Sequence, residues 1–253
     1  MAKIVSIINQ KGGVGKTTTA VNLAAALGAA GKRVLLVDID PQGNSTSGFG
    51  ISKRKNDKTS YEMLINNLPA GQTVVKTAFA GVDIIPSNIN LAGAELEMAD
   101  MPKREALLKT ALAPVVQGYD FIFFDCPPSL GLISINSLCA SDTFLVPIQC
   151  EYYALEGLSQ LMATVRQIKR MYNPLLELEG VLLTMYDGRL NLTQQVVAEV
   201  KNFFPGKVYA SVIPRNVRLS EAPSYGEPVM YYDRASKGAE SYFALAQEFL
   251  ADQ

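Results

Sequence analysis

The feature that most constrains this chain is a glycine- and lysine-rich run at residues 10–18, Gln-Lys-Gly-Gly-Val-Gly-Lys-Thr-Thr. An apolar run at 4–8 precedes it and predicts a buried strand, and an alanine- and leucine-rich run at 18–27 predicts a helix that ends by Gly31. Strand, glycine-rich turn and helix form the context of a phosphate-binding loop, because successive backbone N–H groups can converge on one anion at a helix N-terminus. An ordinary glycine-rich turn would not account for the Gly-Lys-Thr ending.

Two side chains of this run are placed for nucleotide chemistry. Lys16 is expected to reach the β- and γ-phosphates, and the Thr17 hydroxyl is expected to bind Mg²⁺. The run departs from the usual pattern G-x-x-x-x-G-K-S/T, because Gln10 stands where the first glycine belongs and Lys11 adds a second lysine. From the residues alone, Lys11 fits a solvated loop charge as well as a functional one. The predicted nucleotide-binding residues of the loop are Lys11, Gly12, Gly13, Val14, Gly15, Lys16, Thr17 and Thr18.

Composition excludes several kinds of site. The chain has no histidine, which excludes Ser-His-Asp and Cys-His catalysis and histidine metal ligands. Its three cysteines, Cys126, Cys139 and Cys150, form no C-x-x-C pair, so we expect buried reduced thiols rather than a zinc site or a disulfide framework. The net charge of −1 provides no overall attraction for nucleic acid, so any contact with DNA needs a local basic patch.

The length and hydropathy fit a globular protein. The chain has 253 residues, of which 48% are hydrophobic and 19% charged, which is enough apolar material for a sizeable core. No segment has the pattern of a signal peptide, and no apolar run approaches the roughly 18–20 residues of a membrane helix. We therefore expect a soluble, cytoplasmic protein with a single domain over residues 1–253 and no membrane partner.

Two apolar strands are predicted to deliver aspartates to the loop. Residues 32–38 form the first and end in Asp38, and the Pro- and Gly-containing segment that follows predicts a loop carrying Asp40. Both carboxylates can order the waters of Mg²⁺ or the attacking water, although turn-forming aspartates would give the same pattern. Residues 121–125 run from four apolar residues into Asp125, the Walker B pattern that presents a carboxylate to Mg²⁺.

Strand and helix patterns alternate along the rest of the chain. Residues 126–131 predict a stiff loop with a glycine hinge that can sense a γ-phosphate, and residues 44–80 carry the weakest pattern. Further strands are predicted at 82–86, 143–148, 181–185 and 208–212, and further helices at 61–67, 91–98, 104–116, 151–172, 196–203 and 236–250. Alternation without a linker or repeat predicts an α/β fold, a doubly wound and mostly parallel sheet with helices on both faces.

Five segments resemble the ParA family, a group of P-loop ATPases with a deviant Walker A motif to which MinD also belongs. Residues 9–18 resemble the family's phosphate loop, 38–44 its switch I and 125–131 its switch II. Residues 149–157 and 213–223 are more specific and resemble the chromosomal, Soj-type members. The resemblance covers essentially the whole chain, and no motif residue departs from the family pattern.

The resemblance implies an ATP-bound homodimer as the working state. Two monomers sandwich two ATP molecules, with Lys11 of each contacting the other's nucleotide. Gly12 lies where the two loops face each other, so a side chain there should block closure. Pro214 and Asn216 are the implied contacts of the adenine and ribose, and ATP and Mg²⁺ are the implied cofactors.

Hydrolysis of ATP is expected to rest on positioning and charge stabilisation rather than on covalent chemistry. Lys11 and Lys16 would neutralise phosphate charge, and Asp40 would orient the attacking water, since the chain has no histidine for that role. The predicted catalytic residues are Lys11, Lys16, Asp40 and Asp125, and the predicted magnesium ligands are Thr17, Asp38 and Asp125.

The resemblance also implies macromolecular partners and a place on the nucleoid. The ATP-bound dimer would bind double-stranded DNA without sequence preference, and a ParB/Spo0J-type centromere-binding protein would stimulate hydrolysis and release it, moving chromosome or plasmid copies apart. A DnaA-type replication initiator is a further implied partner. Arg189 and Arg218 are the implied DNA contacts. Residues 184–220 hold five basic residues against two acidic ones, which on their own would be interpreted as solvated charges.

Three other classes share parts of this pattern. A MinD-type membrane ATPase needs a basic amphipathic tail, whereas residues 237–253 carry Lys237 against Glu240, Glu248 and Asp252. A metal-cluster carrier or a relative of nitrogenase iron protein needs paired cysteines, which are absent. A small-molecule P-loop enzyme, such as a carboxylase or synthetase, needs a substrate pocket beside the γ-phosphate, which a sequence does not display.

Overall fold

The strands form an eight-stranded sheet in the order β3-β4-β2-β5-β1-β6-β7-β8. The computed structural model describes residues 2–151 and 154–252, with the side chains of 154–156 outside the description. The strands are β1 Lys3–Ile7, β2 Val34–Asp38, β3 Val75–Lys76, β4 Val82–Ile85, β5 Phe121–Asp125, β6 Thr143–Gln149, β7 Glu177–Tyr186 and β8 Val208–Pro214.

The sheet is parallel except at one edge. β3 pairs with β4 antiparallel, and each of the other neighbouring pairs is parallel. All five residues of β2 and of β5 are buried, as expected for central parallel strands that are covered on both faces. The predicted doubly wound, mostly parallel α/β fold is thereby confirmed.

Helices cover both faces of this sheet. They are α1 Lys16–Ala29, α2 Asn44–Gly48, α3 Ser60–Leu64, α4 Ala70–Thr73, α5 Ala94–Met98, α6 Leu107–Leu112, α7 Leu132–Ala140, α8 Ala154–Met171, α9 Asn191–Phe203, α10 Val217–Tyr225, α11 Val229–Tyr232 and α12 Lys237–Ala251. Short 3₁₀ turns lie at Ile89–Gly93, Arg104–Ala106 and Val116–Gly118. Among the described residues, none of these helices is both long enough and apolar enough to span a bilayer.

The core lies in two layers because side chains alternate along each strand. In β5, Ile122 and Phe124 face the layer that contains α7 and α8. Phe121 and Phe123 face the opposite layer, formed by α1 and α12, where their rings lie 5.3 and 5.8 Å from the ring of Phe249. Burial on both faces fixes β5 in the middle of the sheet, and with it the position of the aspartate at its end.

Several predicted elements differ from the structure. The helix expected at 104–116 is broken, with α6 ending two residues before Pro114, which has no N–H to donate to a helical hydrogen bond. The one expected at 91–98 is a 3₁₀ turn followed by α5. Residues 44–80, weakly patterned, contain α2, α3, α4 and β3. The predicted helix at 151–172 corresponds to α8, and residues 152–153 lie outside the described part.

Candidate functional site

The phosphate loop joins β1 to α1 at the centre of the sheet. Gly13 and Gly15 adopt left-handed backbone with φ of 74° and 88°, which side-chain-bearing residues adopt only with strain. Gly15 is the N-cap of α1 and has no side chain to cap the first turn. The backbone N–H groups at the start of α1 therefore remain available to an anion, as a nucleotide phosphate requires.

Lys16 is an ammonium group held inside the loop. Only 7% of the residue is exposed, and its Nζ donates to the carbonyl of Lys11 at 3.1 Å. Burial lowers the pKa of Lys16, while the nearby carboxylates of Asp125 and Asp40 act in the opposite direction. A buried cation of this kind is stabilised by a bound phosphate, which supports the role predicted for Lys16.

Asp38 and Asp125 lie side by side at the ends of neighbouring strands. They are paired in the register of β2 and β5, and both are fully buried. Burial is the main reason that the pKa of Asp38 rises to about 8 and that of Asp125 to about 6, and their mutual repulsion adds to the first. Two adjacent buried carboxylates with raised pKa values fit a divalent cation between protein and phosphate, so the residues present suit Mg²⁺.

The start of α2 holds both carboxylates. The hydroxyl of Ser45 donates to Asp125 Oδ2 at 2.7 Å, and Thr46 donates to Asp38 Oδ2 through its hydroxyl at 2.7 Å and its N–H at 2.8 Å. Asp125 Oδ1 is buried and accepts no hydrogen bond of standard geometry from the described residues, although Thr17 lies close enough to lower the pKa of this carboxyl. One acceptor oxygen beside Thr17 thus remains for a cation or its water.

Ser45 and Thr46 were not predicted from the sequence. They lie in a short polar helix without hydrophobic periodicity, and both are fully buried. The only signal for them was their position just after the aspartate-containing loop, at the carboxyl edge of a parallel sheet.

Asp40 faces the loop from switch I. It is 7% exposed, its Oδ1 accepts the N–H of Gln42 at 2.9 Å, and its N–H donates to Asp38 Oδ1 at 3.2 Å. Asp40 therefore does shape a turn, as the simpler interpretation expected. It is also close enough to affect the pKa values of Lys16 and Asp125, which places its carboxylate at the phosphate loop.

The second lysine of the loop forms an ion pair within its own chain. Lys11 Nζ lies 2.8 Å from Glu151 Oε2, at the carboxyl end of β6. The N–H of Lys11 donates to Asn9 Oδ1 at 3.0 Å. Next to it, Gly12 is exposed, and a Cβ built on it meets no atom within 4 Å. Nothing in the described part of the chain therefore requires glycine at position 12.

Pro214 and Asn216 lie beside the loop, at the end of β8. Together with Gly15 and Thr18 they line a cavity of about 400 Å³ whose wall is mainly apolar. Asn216 is the N-cap of α10, and its Oδ1 accepts the N–H of Arg218 at 3.0 Å. An apolar slot next to a phosphate loop suits a purine base, as predicted for these two residues.

The switch II loop is held by a residue that the sequence did not indicate. Glu95, in α5, accepts the N–H of Ile133 through Oε1 at 3.2 Å, at the first turn of α7. A Cβ on Gly131 would collide with the same carboxylate. The φ of −75° is open to any residue, so a side chain at position 131 would be opposed only by the Glu95 carboxylate, which it would displace. Glu95 ties α5 to the first turn of α7, directly after that loop.

Arg189 and Arg218 lie outside the loop but at the same edge of the sheet. Arg189 follows β7 and pairs with Asp187 at 2.7 Å, while Arg218 pairs with Glu221 at 2.7 Å and Asp233 at 3.0 Å. The side chain of Arg189 is 89% exposed and that of Arg218 is 49% exposed. Both guanidinium groups have local carboxylate partners, and Arg189 is the more accessible to an outside ligand.

Known proteins resemble this chain over its full length. A family model described as an AAA domain matches residues 2–178. The sporulation initiation inhibitor protein Soj of Bacillus subtilis is 57% identical over 252 residues, covering 100% of both chains. The chromosome partitioning protein ParA of Myxococcus xanthus is 51% identical over 250 residues, covering 99% of this chain and 88% of the relative.

A solved structure has the same fold and carries nucleotide. It comes from Mycobacterium smegmatis, is described as cobyrinic acid a,c-diamide synthase with a bound ATP analogue and magnesium, and is 36% identical. The TM-score is 0.87, and the match covers 99% of this chain and 95% of the other. The two partitioning relatives are more similar to this chain in sequence than the Mycobacterium smegmatis protein is. The chain belongs to the ParA/Soj family of chromosome-partitioning ATPases, whose cofactors are ATP and Mg²⁺.

Proposed function

We propose that this chain works as an ATP-bound homodimer that binds double-stranded DNA without sequence preference and leaves it after hydrolysis. The observation that carries the proposal is the exposed front of the phosphate loop. The fold of the single chain has room for a side chain at position 12, and the side chain of Lys11 lies at the surface beside Gly12. If a second copy of the loop packs against this front, glycine at position 12 allows the two loops to approach closely, and Lys11 can reach the partner's nucleotide.

Each nucleotide is held mainly by the chain that presents the phosphate loop. Lys16 and the N–H groups of α1 bind its phosphates, and Pro214 and Asn216 flank its base in the cavity next to Gly15. Lys11 adds a positive charge to the partner's nucleotide. Both lysines thus favour the charge that develops on the phosphate oxygens during transfer.

The carboxylates support the metal and the water. Thr17, Asp38 and Asp125 would hold Mg²⁺ or its waters, and the ion would supply positive charge that neutralises the phosphates of the nucleotide. Asp40 accepts a hydrogen bond from the attacking water and orients it, so that water and ATP yield ADP and phosphate. Its position at the loop, and the lack of any histidine, favour it for this role.

Oligomeric state in the presence of nucleotide tests the dimer. The full chain should run as a monomer with ADP and as a dimer with Mg²⁺ and a non-hydrolysable ATP analogue, measured by light scattering after gel filtration. Asp40→Ala should accumulate the dimer with ATP itself, because hydrolysis no longer parts it. Lys16→Ala should lose nucleotide binding. A chain that stays monomeric with the analogue, at concentrations that saturate the loop, would refute the proposal.

DNA binding is assigned to the edge of the sheet that carries the loop. Arg189→Glu should weaken binding of the ATP-bound dimer to DNA of any sequence and reduce its salt dependence, while nucleotide affinity stays unchanged. Lys207→Glu is the matched control, because Lys207 precedes β8 and lies at the opposite edge. Arg218→Glu should have a smaller effect, since Arg218 is less exposed and has two carboxylate partners. Equal losses for Arg189 and Lys207 would argue against this surface.

A ParB/Spo0J-type protein completes the proposed cycle. It would stimulate ATP turnover and release the dimer from DNA, on the nucleoid, and a DnaA-type initiator would be a second client of the same switch. ATP turnover should rise with DNA and such a partner together, and not with small metabolites. Stimulation by a small-molecule acid instead would favour a synthetase, the activity that the Mycobacterium smegmatis structure is described by.

A MinD-like membrane role fits less well with the last helix. α12 packs Tyr242, Leu245 and Phe249 fully into the core, so its apolar face is already covered. A membrane helix at this end would need a free apolar face and basic residues around it. Co-sedimentation with anionic vesicles in the presence of ATP tests this alternative.

A further inference from the structure

An ion pair between Lys11 and Glu151 joins the phosphate loop to the segment that follows β6. Lys11 Nζ lies 2.8 Å from Glu151 Oε2 of the same chain. The other carboxylate oxygen of Glu151 also has partners. Oε1 accepts a hydrogen bond from the side-chain amide of Gln149 and lies 4.0 Å from the guanidinium NH2 of Arg215. Glu151 is thus held between the end of β6 and the end of β8. It binds the Lys11 ammonium, which in the proposed dimer reaches the nucleotide of the other subunit.

The backbone of Lys11 is fixed while its side chain is not. Its N–H is bound by Asn9 Oδ1, and Asn9 Nδ2 is itself anchored to the carbonyl of Pro147 at 2.8 Å. Its carbonyl accepts Lys16 Nζ. The ion pair with Glu151 is a half-exposed contact, with 35% of the Lys11 side chain and 47% of the Glu151 side chain accessible. Only a rotation of the Lys11 side chain is needed to release it.

We propose that Glu151 is a latch that holds Lys11 in its own subunit and so opposes dimerisation until the phosphates of a partner's nucleotide take its place. The inference rests on the proposed function, in which Lys11 contacts the partner's nucleotide. In the separate chain, the Lys11 ammonium is neutralised by Glu151. When a partner's phosphates come within reach they offer a stronger anion, and the lysine exchanges one negative partner for the other.

The strength of such a latch suits a reversible switch. Exposed ion pairs of this kind shift an equilibrium by roughly 1.5- to 5-fold, because solvent screens them and both side chains lose freedom. The dimer has two such pairs to release, so removing both changes the dimer dissociation constant by roughly 2- to 25-fold. The latch therefore raises the threshold for dimerisation without preventing it.

The test is the dimer dissociation constant of the full chain, measured by analytical ultracentrifugation with Mg²⁺ and a non-hydrolysable ATP analogue. Glu151→Gln keeps the shape and removes the charge, and it should tighten the dimer by roughly 2- to 25-fold. The gain should shrink as salt is raised, because salt weakens the pair in the unsubstituted chain. The double variant Lys11→Ala with Glu151→Gln should show no gain over Lys11→Ala alone.

Two controls separate the latch from the dimer itself. Asp120→Asn removes the partner of Arg33, an exposed pair at the amino edge of the sheet, and should leave the dissociation constant unchanged. If Lys11→Ala abolishes dimerisation while Glu151→Gln leaves it unchanged or weakens it, the latch is overturned and the proposed dimer stands. If Lys11→Ala dimerises as tightly as the unsubstituted chain, the proposed role of Lys11 fails, and the latch fails with it.

Discussion

Replacing Gly12 by alanine is expected to leave the fold intact and to block the ATP-dependent dimer. A Cβ at this position meets no atom within 4 Å, and the backbone is not in the left-handed region. At such a site the change should stabilise the monomer by about 0.4–1 kcal/mol, because alanine restricts the unfolded chain. In the proposed dimer the same methyl group lies where two loops meet, so association should be lost although nucleotide still binds.

Gly13 provides the matched control, one residue further along the same loop. A Cβ there also meets no atom within 4 Å, but the φ of 74° is left-handed. Alanine pays about 1–2 kcal/mol in this conformation, which leaves a net loss of roughly 0–1.6 kcal/mol after the unfolded-state gain. The two variants should thus differ by about 1–2 kcal/mol, or roughly 2–8 °C in Tm for a chain of this size.

Thermal unfolding of the nucleotide-free chain measures the difference in stability between the two variants. Light scattering after gel filtration with an ATP analogue measures the loss of dimerisation. Affinity for a fluorescent nucleotide, measured on both variants, shows whether the loop still binds phosphate. The reasoning is refuted if Gly12→Ala melts below Gly13→Ala, because the space at position 12 would then be needed by the fold. It is also refuted if Gly12→Ala dimerises normally.

Three further changes probe the carboxylates and the switch loops. In the absence of Mg²⁺ and nucleotide, the stability of the fold should fall as pH rises from about 4 towards 8. The raised pKa values of Asp38 and Asp125 mean that, over this range, the folded chain retains protons that the unfolded chain releases. The Tm should therefore decrease with pH across this range, and a flat profile would contradict the prediction. Ser45→Ala should destabilise the nucleotide-free chain by about 1.5–3 kcal/mol, because a buried hydrogen bond to the Asp125 carboxyl is lost; chemical denaturation with Ser45→Cys for comparison measures this, and an effect below about 0.5 kcal/mol would show that water replaces the hydroxyl. Gly131→Ala should displace Glu95 from the first turn of α7 at a loss of about 0.5–2 kcal/mol, as for a lost helix cap; the loss should largely vanish in a Glu95→Ala background, and full additivity of the two changes would argue against the contact.

The phosphate loop and the two buried aspartates at the edge of the sheet could be predicted because local sequence carries their signal. Asp38 and Asp125 each end an apolar run, and the carboxyl ends of parallel strands share one edge of a sheet. That the two aspartates are direct neighbours follows from the strand order, with β2 next to β5, which no local pattern contains.

Other parts could not be predicted because their signal lies in distant contacts. Glu151 and Lys11 meet through the pairing of β1 with β6, and neither residue has a local pattern that points to the other. α10 and α11 were missed because Pro223, Gly226 and Pro228 resemble helix breakers, yet Gly226 ends α10 with left-handed backbone and Pro228 precedes α11. Burial against α1 and α2, rather than propensity, determines these helices.

The position of β1 in the sheet has a consequence for synthesis on the ribosome. β1 is the first strand to be made, but Lys3 pairs with Phe121 and Val5 with Thr143, more than a hundred residues later. Until β5 and β6 have been translated, the start of the chain has no strand to join, so the phosphate loop has no frame to hold it. A nascent chain should therefore gain nucleotide affinity abruptly, after β6 emerges, rather than gradually as the helices form. Truncated chains that end before Thr143 should not bind ATP, even though they contain the whole loop sequence.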